Sequence, residues 1–255
     1  MLVIGERINA SSKSVGQAIA DRNEGFLANL ATAQSDAGAD FIDVNAGAGH
    51  DARENASATM EWLIGVVQAA TDKPLTIDSD DPEVIRAALG GYRGDRVMIN
   101  SVNAEPARLE AIAPLAAKRQ ASLIALVMGE GGIPATVAER LAAAELVMTH
   151  LTQAGVSEEQ VYFDPLVIPI SVDSAQALIT LRTIQQLKDR YPAAKTVVGL
   201  SNISFGLPNR ALVNRGFLLM AASAGVDAAI LDPLDARMMS AARVADMLTG
   251  KDTGC

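Results

Sequence analysis

The sequence predicts an α/β fold, a single (β/α)8 TIM barrel spanning residues 1–255 with its ligand site at the C-terminal ends of the strands. Three observations support this prediction. Short apolar runs alternate about eight times with segments of helical spacing, aromatic residues make up only 4% of the chain, and no linker-like stretch interrupts the alternation. Strands that are apolar throughout, each followed by an amphipathic helix, are typical of a parallel sheet covered by helices.

The first third of the chain shows the alternation clearly. Residues 2–5 form an apolar run, and helical spacing follows over 15–37 until Gly38, a typical helix stop. The next elements are a strand at 39–45, a helix at 54–70 and a strand at 75–78.

The rest of the chain repeats the pattern. Asp81 followed by Pro82 is typical of a helix start, because Asp caps free backbone N–H groups and Pro suits the first turn. Helices are predicted from there to about 89 and at 106–118, 136–154, 174–191, 212–224 and 239–248. Strands are predicted at 96–100, 121–127, 161–164, 196–201 and 228–231.

Composition excludes several classes of protein. The net charge of -9 argues against nucleic acid or an anionic membrane as the main partner. The only cysteine is Cys255, so neither a disulfide framework nor a cysteine-based zinc site is expected within one chain, and we expect no bound metal. The N-terminus does not resemble a signal peptide, and no apolar run reaches the roughly 18 residues of a membrane helix, so a cytoplasmic protein is expected.

Polar residues stand where several predicted strands end. The pattern includes Asp43 and Asn45, and its strongest members are Asp78, Asn100, Asp164 and Asn202. Each of them alone could be a cap or a turn residue. Their shared position favours function, because the carboxyl ends of barrel strands form the active-site face.

The chemistry of this set is informative. Two carboxylates and two carboxamides, without histidine, lysine or cysteine, are poorly suited to nucleophilic catalysis or metal binding. They are well suited to a flat heterocycle, because a carboxylate accepts two N–H bonds and an Asn both donates and accepts. The sequence therefore predicts a site that binds a planar, hydrogen-bonding ring.

Seven motifs together resemble one known family. They are Gly5-Glu-Arg-Ile-Asn9, Asp43-Val-Asn45, Met60-Glu-Trp-Leu63, Ile77-Asp-Ser79, Met98-Ile-Asn-Ser-Val-Asn-Ala104, Phe163-Asp-Pro-Leu166 and Gly199-Leu-Ser-Asn-Ile-Ser204. In order and spacing they are similar to those of the pterin-binding methyltransferases. This family includes methyltetrahydrofolate:corrinoid/iron–sulfur protein methyltransferase and the folate domain of cobalamin-dependent methionine synthase.

The resemblance implies roles for particular residues. Pterin recognition falls on Asp78, Asn100 and Asp164, and the residue close to the folate N5 falls on Asn202. Secondary pocket positions fall on Glu6, Asn9, Gly199, Ser201 and Arg210.

The resemblance also implies the reaction and the partners. A methyl group would move between N5 of 5-methyltetrahydrofolate and the cobalt of a corrinoid, or cobalamin, on a partner protein, in an SN2-like step. Hydrogen bonding or protonation at N5 would let the nitrogen leave as a neutral amine. Asn202 is the expected donor to N5, the proton is expected from solvent, and the family suggests a homodimer.

Two other functions are open. Dihydropteroate synthase shares the pterin-binding barrel, although the first predicted strand here ends in Glu6-Arg-Ile-Asn-Ala-Ser-Ser12 and lacks that family's early loop motif. A non-catalytic folate-binding subunit of a methyl-transfer complex would bind pterin without turnover. Asn202 argues against that alternative, because binding alone does not require a donor at N5.

Overall fold

The computed structural model describes residues 1–47 and 55–252, and within them strands and helices alternate around a closed barrel. The parallel strands are β1 Leu2–Asn9, β2 Phe41–Asn45, β3 Leu75–Asp78, β4 Val97–Val102, β5 Ser122–Leu126, β6 Val161–Asp164, β7 Lys195–Gly199 and β8 Ala228–Leu231. They pair in chain order, and β8 pairs with β1. The predicted (β/α)8 barrel is therefore confirmed.

Helices follow the strands and cover the barrel. They are α1 Lys13–Ala20, α2 Glu24–Asp36, α3 Ala56–Ala70, α4 Pro82–Gly91, α5 Pro106–Arg119, α6 Val137–Gln153, α7 Gln176–Arg190, α8 Arg210–Ser223 and α9 Ala236–Leu248. Two 3₁₀ helices lie at Glu158–Gln160 and Leu200–Ser204. None of the helices in the described part of the chain is long and apolar enough to cross a membrane.

Several predicted boundaries were wrong, and three of them are explained by local structure. The segment predicted as one helix at 15–37 is two helices, because Arg22 has a positive φ of 52° and Asn23 caps α2 by accepting the backbone N–H of Phe26. The first strand continues to Asn9, past a register shift between Gly5 and Ile8. The seventh strand ends at Gly199, where the chain turns into a 3₁₀ helix.

Two predicted features lie outside the described residues. The helix predicted to begin at Glu54 is described from Ala56 onward, and Cys255 is in the undescribed terminus. By contrast, Asp81 caps α4 as predicted, with its carboxylate accepting the backbone N–H of Glu83 at 2.8 Å.

The barrel interior changes from apolar to polar along its axis. Its lower part is a buried apolar cluster made of Ile4, Phe41, Met98, Ile124, Tyr162, Val197 and Ala228. Side chains alternate between the two faces of a strand, so the residue two positions further also faces inward. Two residues beyond Phe41, Met98 and Tyr162 stand Asp43, Asn100 and Asp164. The strand period thus delivers polar groups to the C-terminal mouth above an apolar floor.

Gly5 shows how tightly the wall is packed at the start of this polar layer. A Cβ on Gly5 would lie 2.6 Å from Oε1 of Gln34 and 3.3 Å from Cγ of Pro233. Gln34 is fully buried, and its Oε1 accepts the backbone N–H of Arg7 at 2.9 Å. We expect Gly5→Ala to destabilise the protein by about 1–3 kcal/mol, because the added carbon forces a buried side chain off its hydrogen bond.

Urea unfolding measures this effect, and Gly216→Ala is the matched control. A Cβ on Gly216, within α8, meets nothing within 4 Å. Alanine there is expected to stabilise by up to about 1 kcal/mol through helix propensity. Equal stability of the two variants would contradict the close approach at Gly5.

Candidate functional site

A cavity of about 490 Å³ opens at the C-terminal ends of the strands. The cavity is lined by eight of the nine residues predicted for the site, namely Glu6, Asn9, Asp78, Asn100, Asp164, Gly199, Ser201 and Asn202. They come from the ends of β1, β3, β4, β6 and β7 and from the 3₁₀ helix after β7. The barrel therefore brings together residues that lie up to about 200 positions apart in the chain.

Asp78 shares the cavity with a second aspartate, Asp43. Oδ2 of Asp78 accepts a hydrogen bond from Nδ2 of Asn45 at 2.8 Å. Burial raises the pKa of both carboxyls, and the neighbouring Asp78 raises the pKa of Asp43 further, to well above its usual range. The two buried carboxylates therefore hold a proton more readily than isolated aspartates do.

Asn100 is oriented by Asp43. Its Nδ2 donates to Oδ1 of Asp43 at 3.4 Å, a long contact. In this orientation the amide nitrogen faces Asp43, and the amide oxygen is free to accept from a ligand. Asp43 therefore contacts the predicted pterin-recognition residue Asn100 and lies close enough to Asp78 for the two carboxyl groups to interact.

Asp164 lies at the end of β6 and is anchored by a local turn. Its Oδ1 accepts the backbone N–H of Leu166 at 2.8 Å. Burial raises the pKa of Asp164 to about 6, against the opposing effects of this hydrogen bond and of Arg140. The protonation state of Asp164 near neutral pH is therefore sensitive to small changes in its surroundings.

Asn202 is positioned by the absence of a side chain at Gly199. A Cβ on Gly199 would lie 3.1 Å from Nδ2 of Asn202, closer than most side chains tolerate. Glycine at the end of β7 therefore lets the 3₁₀ helix turn back with the amide of Asn202 lining the cavity.

Glu6 also lines the cavity and is paired with Ser201. The hydroxyl of Ser201 donates to Oε1 of Glu6 at 2.9 Å. Burial is the main reason that the pKa of Glu6 is raised, and the hydrogen bond from Ser201 opposes it. Asn9 is used locally, with its Oδ1 accepting the backbone N–H of Ser11 at 2.9 Å.

Arg210, the ninth predicted residue, lies beside the cavity rather than in its lining. Its guanidinium donates to the backbone carbonyl of Ser201 at 2.9 Å and to the hydroxyl of Ser204 at 3.1 Å. It therefore braces the 3₁₀ helix that carries Asn202.

Five polar residues of the site were not among the predicted site residues. Asp43, Arg7, Ser11 and Ser12 line the cavity, and Asn45 holds Asp78. Asp43 and Asn45 belong to the strand-end pattern, so an available signal pointed to them. Arg7 lies in the part of β1 beyond its apolar run, and Ser11 and Ser12 lie in the loop that follows β1, so no strand-end pattern pointed to them.

The arrangement provides hydrogen-bond acceptors and donors on several sides of one cavity. Carboxylates at Asp78 and Asp164 accept from ring N–H and amino groups, and the amides of Asn100 and Asn202 both donate and accept. Within residues 1–47 and 55–252, no group of three or more His, Cys, Asp and Glu side chains is arranged as a metal site. This set of acceptors and donors suits the planar, hydrogen-bonding ring that the sequence predicts.

Comparisons with known proteins show which proteins the chain is similar to. Methylcorrinoid:tetrahydrofolate methyltransferase of Eubacterium limosum is 33% identical over 257 residues, which covers 100% of this chain and 93% of that protein. Methionine synthase of Mycobacterium leprae is 32% identical over 244 residues, covering 91% of this chain. The match to methionine synthase spans only 20% of that longer protein.

Solved structures share the fold at lower identity. Dihydropteroate synthase from Xanthomonas albilineans in complex with 7,8-dihydropteroate has a TM-score of 0.71 and 21% identity, over 97% of this chain and 93% of that one. This likeness shows the barrel alone. The family model described as pterin binding enzyme matches residues 5–232. The resemblance inferred from the motifs is therefore confirmed, and the chain belongs to the pterin binding enzyme family.

Proposed function

We propose that this protein is a methyltransferase that moves a methyl group between N5 of (methyl)tetrahydrofolate and the cobalt of a corrinoid on a partner protein. The observation that carries the proposal is the convergence of Asp78, Asn100, Asp164 and Asn202 in one cavity. The relative from Eubacterium limosum, similar over the whole chain, supports this reaction over other reactions of the family.

The binding step uses the acceptors of the cavity. The ring N–H and amino group of a pterin match the carboxylates of Asp78 and Asp164, and Asn100 pairs with neighbouring ring atoms. Held by several strand ends at once, the ring has a fixed orientation, so its N5 can be presented in line with an incoming group.

The transfer step depends on N5 becoming a neutral amine. The N5–CH₃ bond breaks as the methyl group bonds to cobalt, and a proton from solvent is added to N5. Asn202 donates a hydrogen bond to N5 that strengthens as the proton arrives, which stabilises the transition state more than the bound substrate. In the reverse direction, the same residue holds N5 of tetrahydrofolate for methylation.

Dihydropteroate synthase is the alternative from the same fold. Its support is the set of solved structures, at 21% identity or less, and such similarity carries the fold rather than the activity. The cytoplasmic location and the homodimer stay predictions.

A methyl-transfer assay tests the proposal. We expect the wild-type protein to transfer methyl from 5-methyltetrahydrofolate to free, chemically reduced cob(I)alamin, followed by absorbance of the corrinoid. Binding of folate without transfer, even with a corrinoid protein supplied, would indicate a folate-binding subunit. Binding of 4-aminobenzoic acid without transfer would favour the synthase.

A further inference from the structure

Arg140 is a fully buried cation next to the site that the proposed reaction does not use directly. It lies on the first turn of α6 with 0% exposure. Its guanidinium donates to the carbonyls of Pro134, Pro165 and Leu166, to Oγ1 of Thr180 and to Oε1 of Gln176. Its hydrogen bonds therefore go to neutral acceptors, most of them backbone carbonyls.

The position is an unfavourable one for arginine. Burial lowers the pKa of the guanidinium because it disfavours the charged form, and a cation near a helix N-terminus opposes the helix dipole. In the part of the chain that the structure describes, its hydrogen-bond partners include no carboxylate. The charge acting on it is that of Asp164. The free-energy cost of burying this charged side chain implies that Arg140 has a role in the segment that it contacts.

What it contacts is the turn that follows Asp164. Leu166 has a positive φ of 66°, which is strained for a branched side chain. Its N–H is bound by Asp164, and its carbonyl accepts from Arg140 at 3.0 Å and from Oγ1 of Thr180 at 3.1 Å. The strained residue is therefore held at both ends, once by the site carboxylate and once by the buried arginine.

Two other arginines also donate hydrogen bonds to backbone carbonyls in the segments next to the site. Arg108 on α5 donates to the carbonyls of Ser79, Asp80 and Ser101, which follow Asp78 and Asn100. Arg210 braces the segment that carries Asn202. Arginines on neighbouring helices therefore hold the loops that bear the predicted recognition residues, and Arg140, on the helix before β6, is the most buried of the three.

We propose that Arg140 is a positioning residue for Asp164. It holds the carbonyls of Pro165 and Leu166 so that the carboxylate is directed to the ligand, and its positive charge favours the ionised form of that carboxylate. The proposal rests on the proposed function, since the ligand is taken to be a pterin whose N–H groups need an ionised acceptor. It predicts that Arg140 acts on ligand binding through Asp164 and not by direct contact.

The charge of Arg140 lowers the pKa of Asp164 and so affects the pH dependence of ligand binding. The groups that act on Asp164 are the N–H of Leu166 and the guanidinium of Arg140, and both lower a pKa that burial raises to about 6. Because pterin binding requires the carboxylate, affinity is expected to rise with pH through this value. Asp78 and Glu6 line the same cavity and also have raised pKa values, so the difference in midpoint between variants, and not the midpoint itself, reports on Asp164. Without the cation, the pKa of Asp164 rises, and the midpoint of binding moves to higher pH.

The experiment measures the dissociation constant of 5-methyltetrahydrofolate between pH 5 and 8 by calorimetry. Arg140→Gln removes the charge and keeps donors, and we expect its midpoint to lie about one pH unit higher, so its loss of affinity is about fivefold larger at pH 6 than at pH 8. Arg140→Lys keeps the charge, and we expect weaker binding with an unchanged midpoint. Thr180→Val is the control, because it removes the neutral hydroxyl that bonds both Arg140 and the carbonyl of Leu166 but leaves the charge of Arg140 in place.

Each result decides the proposal. An Arg140→Gln loss that is equal at all pH values, or a midpoint shift as large in Thr180→Val, would overturn the role of the cation. If Arg140→Gln does not fold, the Asp164→Asn background provides the test. In the Asp164→Asn protein, Arg140→Lys should weaken folate binding by less than about twofold, whereas in the wild-type protein it should weaken binding by about tenfold. Equal losses in both backgrounds would overturn the coupling. Wild-type protein that fails to bind folate would instead reject the proposed function.

Discussion

Asn202→Ala is expected to slow methyl transfer by about 100-fold or more while folate still binds, the scale observed for loss of one preorganised donor to a developing charge. The substituted nitrogen N5 cannot leave as an anion, so the step depends on a donor placed at N5 before the proton arrives. Gly199 allows the amide of Asn202 to line the cavity, where the proposal places N5, since a Cβ on Gly199 would lie 3.1 Å from Nδ2 of Asn202. Alanine at 202 removes the donor and keeps the backbone.

The measurement is the rate of methyl transfer at saturating folate, together with folate affinity by calorimetry. Asn209→Gly is the matched control in the same loop, because Asn209 has a positive φ of 55° that glycine adopts readily. We expect the control to keep the wild-type rate. A rate for Asn202→Ala within about threefold of wild type at saturation would show that transition-state stabilisation does not depend on this amide.

The residues that could be predicted from the sequence share one property. Asp78, Asn100 and Asp164 each stand at the end of a short apolar run, and the two-residue period of a strand places them inside the barrel mouth. Their approach to one another needs only the barrel closure that the alternation predicts. The local sequence before each of these residues is therefore enough to predict its position in the barrel mouth.

Other features depend on contacts that no local pattern contains. Arg140 is near the start of an amphipathic helix, where an arginine is normally solvated, and its acceptors at Pro165, Gln176 and Thr180 lie 25 to 40 positions away. The break between α1 and α2 depends on a positive φ at Arg22, which its residue type does not signal. Burial of Asp43 likewise results from closure of the barrel around it.

Asp78→Asn is expected to weaken binding of 5-methyltetrahydrofolate by about 10- to 150-fold, since a lost hydrogen bond to a charged group costs about 1.5–3 kcal/mol. The carboxylate presents acceptors only, whereas an amide also presents N–H donors, which oppose the N–H and amino groups of the pterin. Asn45 holds Oδ2 of Asp78 in place at 2.8 Å, so the site does not easily adapt to a different group. Calorimetric titration with folate measures the loss.

Asp78→Asn is also expected to make the ligand-free protein more stable. A gain in stability together with a loss of affinity would show that the affinity is lost through the ligand contact and not through damage to the fold. The pKa values of Asp43 and Asp78 are raised in the folded protein, so it binds more protons than the unfolded chain, and stability falls as pH rises through those pKa values. Removing the charge of Asp78 relieves Asp43, and urea unfolding of the variant should show a smaller decrease between pH 4 and 8. Asp81→Asn is the control, since Asn caps a helix as well as Asp does, and it should change neither folate affinity nor this slope. A variant that loses affinity together with stability would mean that Asp78 supports the barrel, and that its carboxylate is not reserved for the ligand.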